Sequence, residues 1–181
     1  GNFHVSGWDW SSSDRIVFSH QEDPRINTNR RSGDLSVVHL GDGEVTLLHG
    51  GNGIESTPRV SPDGQTVAFR STGDQPEPIG LGDVYVMPVM GGERLRLAET
   101  KDRSPGILGW SRDGSLVYVT EADRTSRRLF GLPVDGGDLV ELTPGEGVFR
   151  SPPVATVTDV MAFTHEPPEP PWEVCTADLG A

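Results

Sequence analysis

Two markers that recur in step along the chain predict an all-β fold, a β-propeller of about four four-stranded antiparallel blades with the last blade incomplete. One is a polar turn followed by a short apolar strand. The other is a Gly-containing turn that follows a second short strand. No window of 11 or more residues shows a convincing 3.6-residue apolar period, so the pattern requires no helix.

The first marker has four copies. Arg15-Ile16-Val17-Phe18, Thr66-Val67-Ala68-Phe69, Leu116-Val117-Tyr118-Val119 and Val160-Met161-Ala162-Phe163 share one frame. Each follows a polar turn: Ser11-Ser12-Ser13-Asp14, Ser61-Pro62-Asp63-Gly64, Ser111-Arg112-Asp113-Gly114 and Thr156-Val157-Thr158-Asp159. In the second turn proline presets φ, aspartate caps its own backbone, and glycine accepts the exit geometry.

The second marker begins with the strands Leu35-Ser36-Val37-Val38, Val84-Tyr85-Val86-Met87 and Leu129-Phe130-Gly131-Leu132. These lead into Gly41-Asp42-Gly43-Glu44, Gly91-Gly92-Glu93 and Gly136-Gly137-Asp138, turns that supply the positive φ of tight hairpins. Alternating strands follow at Val45–Leu48, Arg94–Leu97 and Leu139–Leu142, while the fourth copy keeps a third strand at Trp172–Cys175. Each unit thus holds four strands, with blades expected at about 1–50, 51–100, 101–145 and 146–181. Trp10 and Trp110, just ahead of their turns, read as core wedges between blades.

Composition limits the partners. Gly 23 and Pro 15 are spread between apolar runs, as in a turn-rich β protein. A net charge of −12 opposes binding to nucleic acid or to an anionic membrane surface. Cys175 is the single cysteine, so no internal disulfide is expected. A cytoplasmic location follows as the expectation, with the periplasm or secretion as the alternative.

Candidate chemistry is sparse. His4, His20, His39, His49 and His165 lack metal-binding spacing, so neither a metal nor a cofactor is expected. Two connections exceed what a hairpin needs, 19–34 and 71–83, and a third at 121–128 belongs with them. Arg25, Arg30 and Arg31 in the first of these form a candidate fork for a peptide carboxylate or a partner. The run Glu166–Pro171 reads as a stiff connector. No G-x-S-x-G nucleophile elbow occurs; Gly109-Trp110-Ser111-Arg112-Asp113 lacks the second glycine, so no catalytic residue is expected here.

The segments STPRVSPDGQTVAF at 56–69 and LGWSRDGSLVYV at 108–119 resemble the repeats of TolB-like propellers and of prolyl-oligopeptidase-family propellers. MAFTHEPPEPPWEVCTADLGA at 161–181 resembles the last blade of acylaminoacyl-peptidase and dipeptidyl-peptidase-like members, where it leads into the hydrolase domain. The resemblance implies a seven- or eight-bladed propeller that caps an α/β-hydrolase domain and admits short peptides to its serine. These 181 residues hold about four blades and no hydrolase domain. The implied role is therefore the non-catalytic, substrate-gating portion of a serine peptidase acting on short or N-acylated peptides. Its implied partners are that hydrolase domain or the remaining blades, and a peptide. Open sheet edges would otherwise need covering, by a missing segment or by a second copy in a homo-oligomer. The competing reading is a TolB-like interaction scaffold, and a sugar-cleaving propeller lyase ranks behind both.

Overall fold

The described residues of the computed structural model are 4–22, 32–74, 81–143, 147–150, 154–155, 160–166 and 172–178. Among them every regular element is a strand. The first sheet orders β1 (His4–Ser12), β2 (Arg15–Gln21), β3 (Asp34–His39) and β4 (Val45–His49) as sequential antiparallel neighbours. The second repeats that order with β5 (Glu55–Val60), β6 (Thr66–Ser71), β7 (Asp83–Pro88) and β8 (Leu95–Arg96). The third uses β9 (Gly106–Trp110), β10 (Leu116–Asp123), β11 (Ser126–Pro133) and β12 (Val140–Glu141). In the fourth unit β13 (Val148–Arg150) and β14 (Val154–Ala155) both pair with β15 (Val160–Glu166), which pairs with β16 (Glu173–Asp178). One parallel pair, Arg127 with Val148, joins that unit to the third sheet.

The turns ahead of β6 and β10 are built alike. Asp63 Oδ1 accepts from Ser61 Oγ at 2.6 Å and from Gln65 N at 3.0 Å, while Thr66 N donates to Ser61 Oγ. Asp113 accepts from Ser111 Oγ and Ser115 N in the same way, and these bonds hold its carboxyl down at about 2. Gly64 and Gly114 both take φ +73°. Gly64 has a second constraint: a Cβ there would lie 2.2 Å from the Ser11 carbonyl oxygen of the first sheet. The first sheet's turn lacks the glycine, and there Ser12 Oγ donates to Asp14 at 2.6 Å.

Sheets stack face to face, so the strand alternation buries both faces of the middle sheets. Val17, Leu35 and Val37 of the first sheet pack on Val67, Phe69 and Met87 of the second. The second sheet's other face, with Ala68, Val84 and Val86, meets Trp110, Val117 and Phe130 of the third. Tyr118 and Leu129 then meet Phe149 and Met161 of the fourth unit.

Three expectations need correction. Trp110 is a wedge, 2% exposed, with Nε1 donating to the Arg59 carbonyl at 2.8 Å. Trp10 is not, being 51% exposed, because no sheet among the described residues lies on its face. The stretch 121–128 is no long loop: β10 and β11 continue their ladder through Glu121–Arg128 and Asp123–Ser126, turning at Arg124, φ 57°. Ion pairs of Arg128 with Asp123 and Glu141 support that extension. Strands β8 and β12 are shorter than their alternation suggested, two residues each. The fourth turn, 156–159, lies outside the described residues, as does all of the proline run but Glu166.

Candidate functional site

The β2–β3 and β6–β7 connections, like those that pass from one sheet to the next, leave from the end opposite the Ser-Asp-Gly turns. At this end the first two sheets are stitched together by backbone. Gly33 N donates to the Gly53 carbonyl and Glu55 N to the Gly33 carbonyl, forming a parallel bridge between Gly33 and Ile54. The stitch carries Glu55, the first residue of β5, into the seam, where it is 2% exposed.

Glu55 gathers a charged cluster. Its Oε1 accepts from Ser71 Oγ at 3.2 Å and lies 3.5 Å from His49 Nε2 and 3.7 Å from Arg94 Nη1. Its Oε2 is buried with no hydrogen-bond partner among the described residues. Arg94 is shared: it bonds Asp74 at 2.6 Å and sits 4.6 Å from the Tyr85 ring centroid. Burial therefore wins over Ser71 and Arg94 and raises the Glu55 carboxyl to about 7, helped by Asp34 and Asp74 nearby. Burial, then the charge of Arg94, lowers the His49 imidazole.

The neighbouring carboxylates are spent on the fold. Asp83 takes a two-pronged contact from Arg103, through Nε at 3.3 Å and Nη2 at 3.1 Å, and a third from Arg96 at 3.0 Å. Glu121 accepts from Thr100 Oγ1 and from the amides of Asp102 and Ser104, which pins the connection between β8 and β9. Such satisfied carboxylates fix loops. Glu55 differs in keeping one buried oxygen unmatched.

Among the described residues one serine–histidine contact is present, His20 Nε2 to Ser36 Oγ at 2.8 Å, with both side chains buried. Ser36 lies mid-strand on β3, laddered to β2 on one side and β4 on the other. Its surrounding amides are thus committed to the sheet, which leaves no donor pair to hold an oxyanion. The pair reads as a polar contact internal to the sheet.

Arg25, Arg30 and Arg31 lie outside the described residues. The segment that carries them connects Gln21 to Asp34 and so departs from this same end. Glu55, His49 and Arg94 were not singled out from the sequence. The available signal was a charged residue opening a strand directly after Gly50-Gly51-Asn52-Gly53, where glycine permits close backbone approach.

No family model matches the chain. It is 33% identical over 87 residues to dipeptidyl-peptidase 5 of Trichophyton equinum, a match covering 48% of this chain and 12% of that protein. It is 32% identical over 115 residues to tricorn protease homolog 1 of Streptomyces coelicolor, covering 62% of this chain and 10% of that one. The chain thus matches a small part of each relative's length. Among solved structures, TolB from Acinetobacter baumannii superposes with a TM-score of 0.71 at 15% identity, over 99% of this chain and 42% of that one. The β-propeller domain of the trilobed protease from Pyrococcus furiosus gives 0.66 at 12%, over 100% and 56%. The stacked sheets are propeller blades. Their fold is that of TolB and of the trilobed protease's propeller domain, and in sequence the chain is similar to parts of two peptidases, in line with the resemblance of its repeats.

Proposed function

We propose that these blades are the non-catalytic, substrate-gating portion of a prolyl-oligopeptidase-family serine peptidase that cleaves short or N-acylated peptides. The observation that carries the reading is the sequence match to two peptidases, one of them over 62% of the chain. The partners are a hydrolase domain elsewhere in the same protein, further blades, and the peptide itself. The loop-bearing end offers the charged surface such a peptide would meet, with Arg94, Asp74 and His49 around the Glu55 seam. A cytoplasmic location belongs to the same reading.

The test is a length series on the native gene product. N-acetylated dipeptide to tetrapeptide chromogenic substrates should be cleaved, and kcat/KM should collapse for folded proteins and long peptides. Equal turnover of long and short substrates would remove the gate from the account.

A TolB-like interaction scaffold is the second reading, favoured by the TM-score of 0.71 to a TolB over nearly the whole chain. Absence of any peptide hydrolysis by the native product, together with stable capture of a partner protein, would support it.

A further inference from the structure

We propose that the cleft between the second and third sheets, at the end where the Ser-Asp-Gly turns lie, binds an arginine side chain of a partner protein. The cleft has a volume of about 320 Å³, and Val86, Trp110 and Val134 give it an apolar floor. Asp63, Glu93 and Asp113 stand exposed at its mouth. Among the described residues no arginine or lysine lines it. A long side chain with an apolar stem and a cationic head matches that order of surfaces. The cleft lies opposite the loop-bearing end and shares no residue with the Glu55 seam, so it goes beyond the proposed function.

The neighbouring seams show what fills this position. Arg15, Thr66 and Leu116 hold the same place, the first residue of the second strand in each sheet. Two residues on, Val17, Ala68 and Tyr118 each pack against the sheet that follows. By strand alternation the three first residues therefore face the next seam as well. In the first seam Arg15 crosses, and its Nη1 donates to Met90 Sδ of the second sheet at 3.3 Å. In the third, Leu116 packs beside Tyr118, Phe149 and Met161. In the middle seam Thr66 is too short to cross, and the cleft is the room it leaves.

Charge favours a guanidinium more strongly here than around Arg15. Met90 sits in Pro88-Val89-Met90-Gly91-Gly92, and the matching turn of the third sheet reads Pro133-Val134-Asp135-Gly136-Gly137. An arginine that crosses the middle seam as Arg15 crosses the first meets a carboxylate in place of a thioether. The turn bonds of Asp63, Asp113 and Asp135 all end on Oδ1, which keeps Oδ2 of each for a ligand. The Ser61 hydroxyl does most to lower the Asp63 carboxyl, and the Ser115 amide does most for Asp113, so both are charged at neutral pH. These carboxylates come from two sheets, an arrangement that suits the forked guanidinium better than the single ammonium of lysine.

The test is ligand-observed saturation-transfer NMR on the native gene product, with Nα-acetylarginine amide as the probe. Binding is expected with a Kd on the order of 1 mM, the strength that one side chain can supply. Nα-Acetylcitrulline amide, similar in shape without the charge, should give no saturable signal. Thr66→Arg should close the cleft from within, as Arg15 does next door, and abolish binding while any peptide hydrolysis stays unchanged. Glu93→Gln combined with Asp135→Asn should weaken binding about fivefold, an independent reading if Thr66→Arg misfolds. No binding by the wild-type protein, equal binding of the citrulline probe, or arginine binding that survives Thr66→Arg would overturn the proposal. So would an unchanged affinity in the double variant. Binding that follows these expectations on a protein that hydrolyses no peptide would support the cleft and remove only the peptidase reading.

Discussion

At the residue scale, the two turn glycines separate backbone strain from close approach. Both sit at φ +73°, but a Cβ at Gly114 would meet nothing within 4 Å, while one at Gly64 would meet the Ser11 carbonyl at 2.2 Å. Gly114→Ala should therefore cost about 1–2 kcal/mol, the left-handed penalty alone. Gly64→Ala should cost clearly more, because the first two sheets must part to admit the methyl. Paired urea melts check this, and equal losses would show that the seam yields freely. Glu55 gives a prediction in pH. Its carboxyl is raised from 4.5 to about 7 in the folded chain, so the unfolded chain releases that proton first. The favourable contribution is complete below about 4.5 and is lost as pH climbs through 7. A shift of that size corresponds to roughly 3 kcal/mol. Glu55→Gln should accordingly melt close to wild type at pH 4.5 and above it at pH 8. Melts that track each other across that window would contradict the buried, half-matched carboxyl.

At the scale of the element, the inter-sheet connection between β8 and β9 is held by side chains rather than by a ladder. Glu121 Oε1 serves Thr100 and Ser104, and Oε2 serves the Asp102 amide. Glu121→Ala should cost about 1–3 kcal/mol for the stranded donors and speed amide exchange at 102 and 104. Unchanged exchange there would mean that the connection holds itself. Trp110→Phe should cost about 1 kcal/mol for the lost bond to Arg59, beyond any loss of packing. The elements themselves were largely legible, because apolar strands and Gly or Asp turns carry local geometry that depends on few distant atoms. Where the reading failed, the cause was not local. Trp10 and Trp110 look alike in sequence, and only the presence or absence of a covering sheet distinguishes them. The 121–128 stretch is rich in charge, which suggested solvent, yet Arg128 finds Asp123 across the hairpin and Glu141 on the next strand.

At the scale of the molecule, the propeller was legible because one marker repeats four times and the other three times in step with it. The Glu55 cluster was not, since it assembles from β4, β5, β6, the 72–74 turn and Arg94, which only the stacking of two sheets brings together. The gating role is the claim that the molecule as a whole must answer for. The most direct measurement is active-site labelling of the native gene product with a fluorophosphonate, followed by mapping of the labelled peptide. The account predicts one labelled serine, inside a G-x-S-x-G segment and outside residues 1–181. A label on a serine within these blades, or no label on a folded protein, would contradict it.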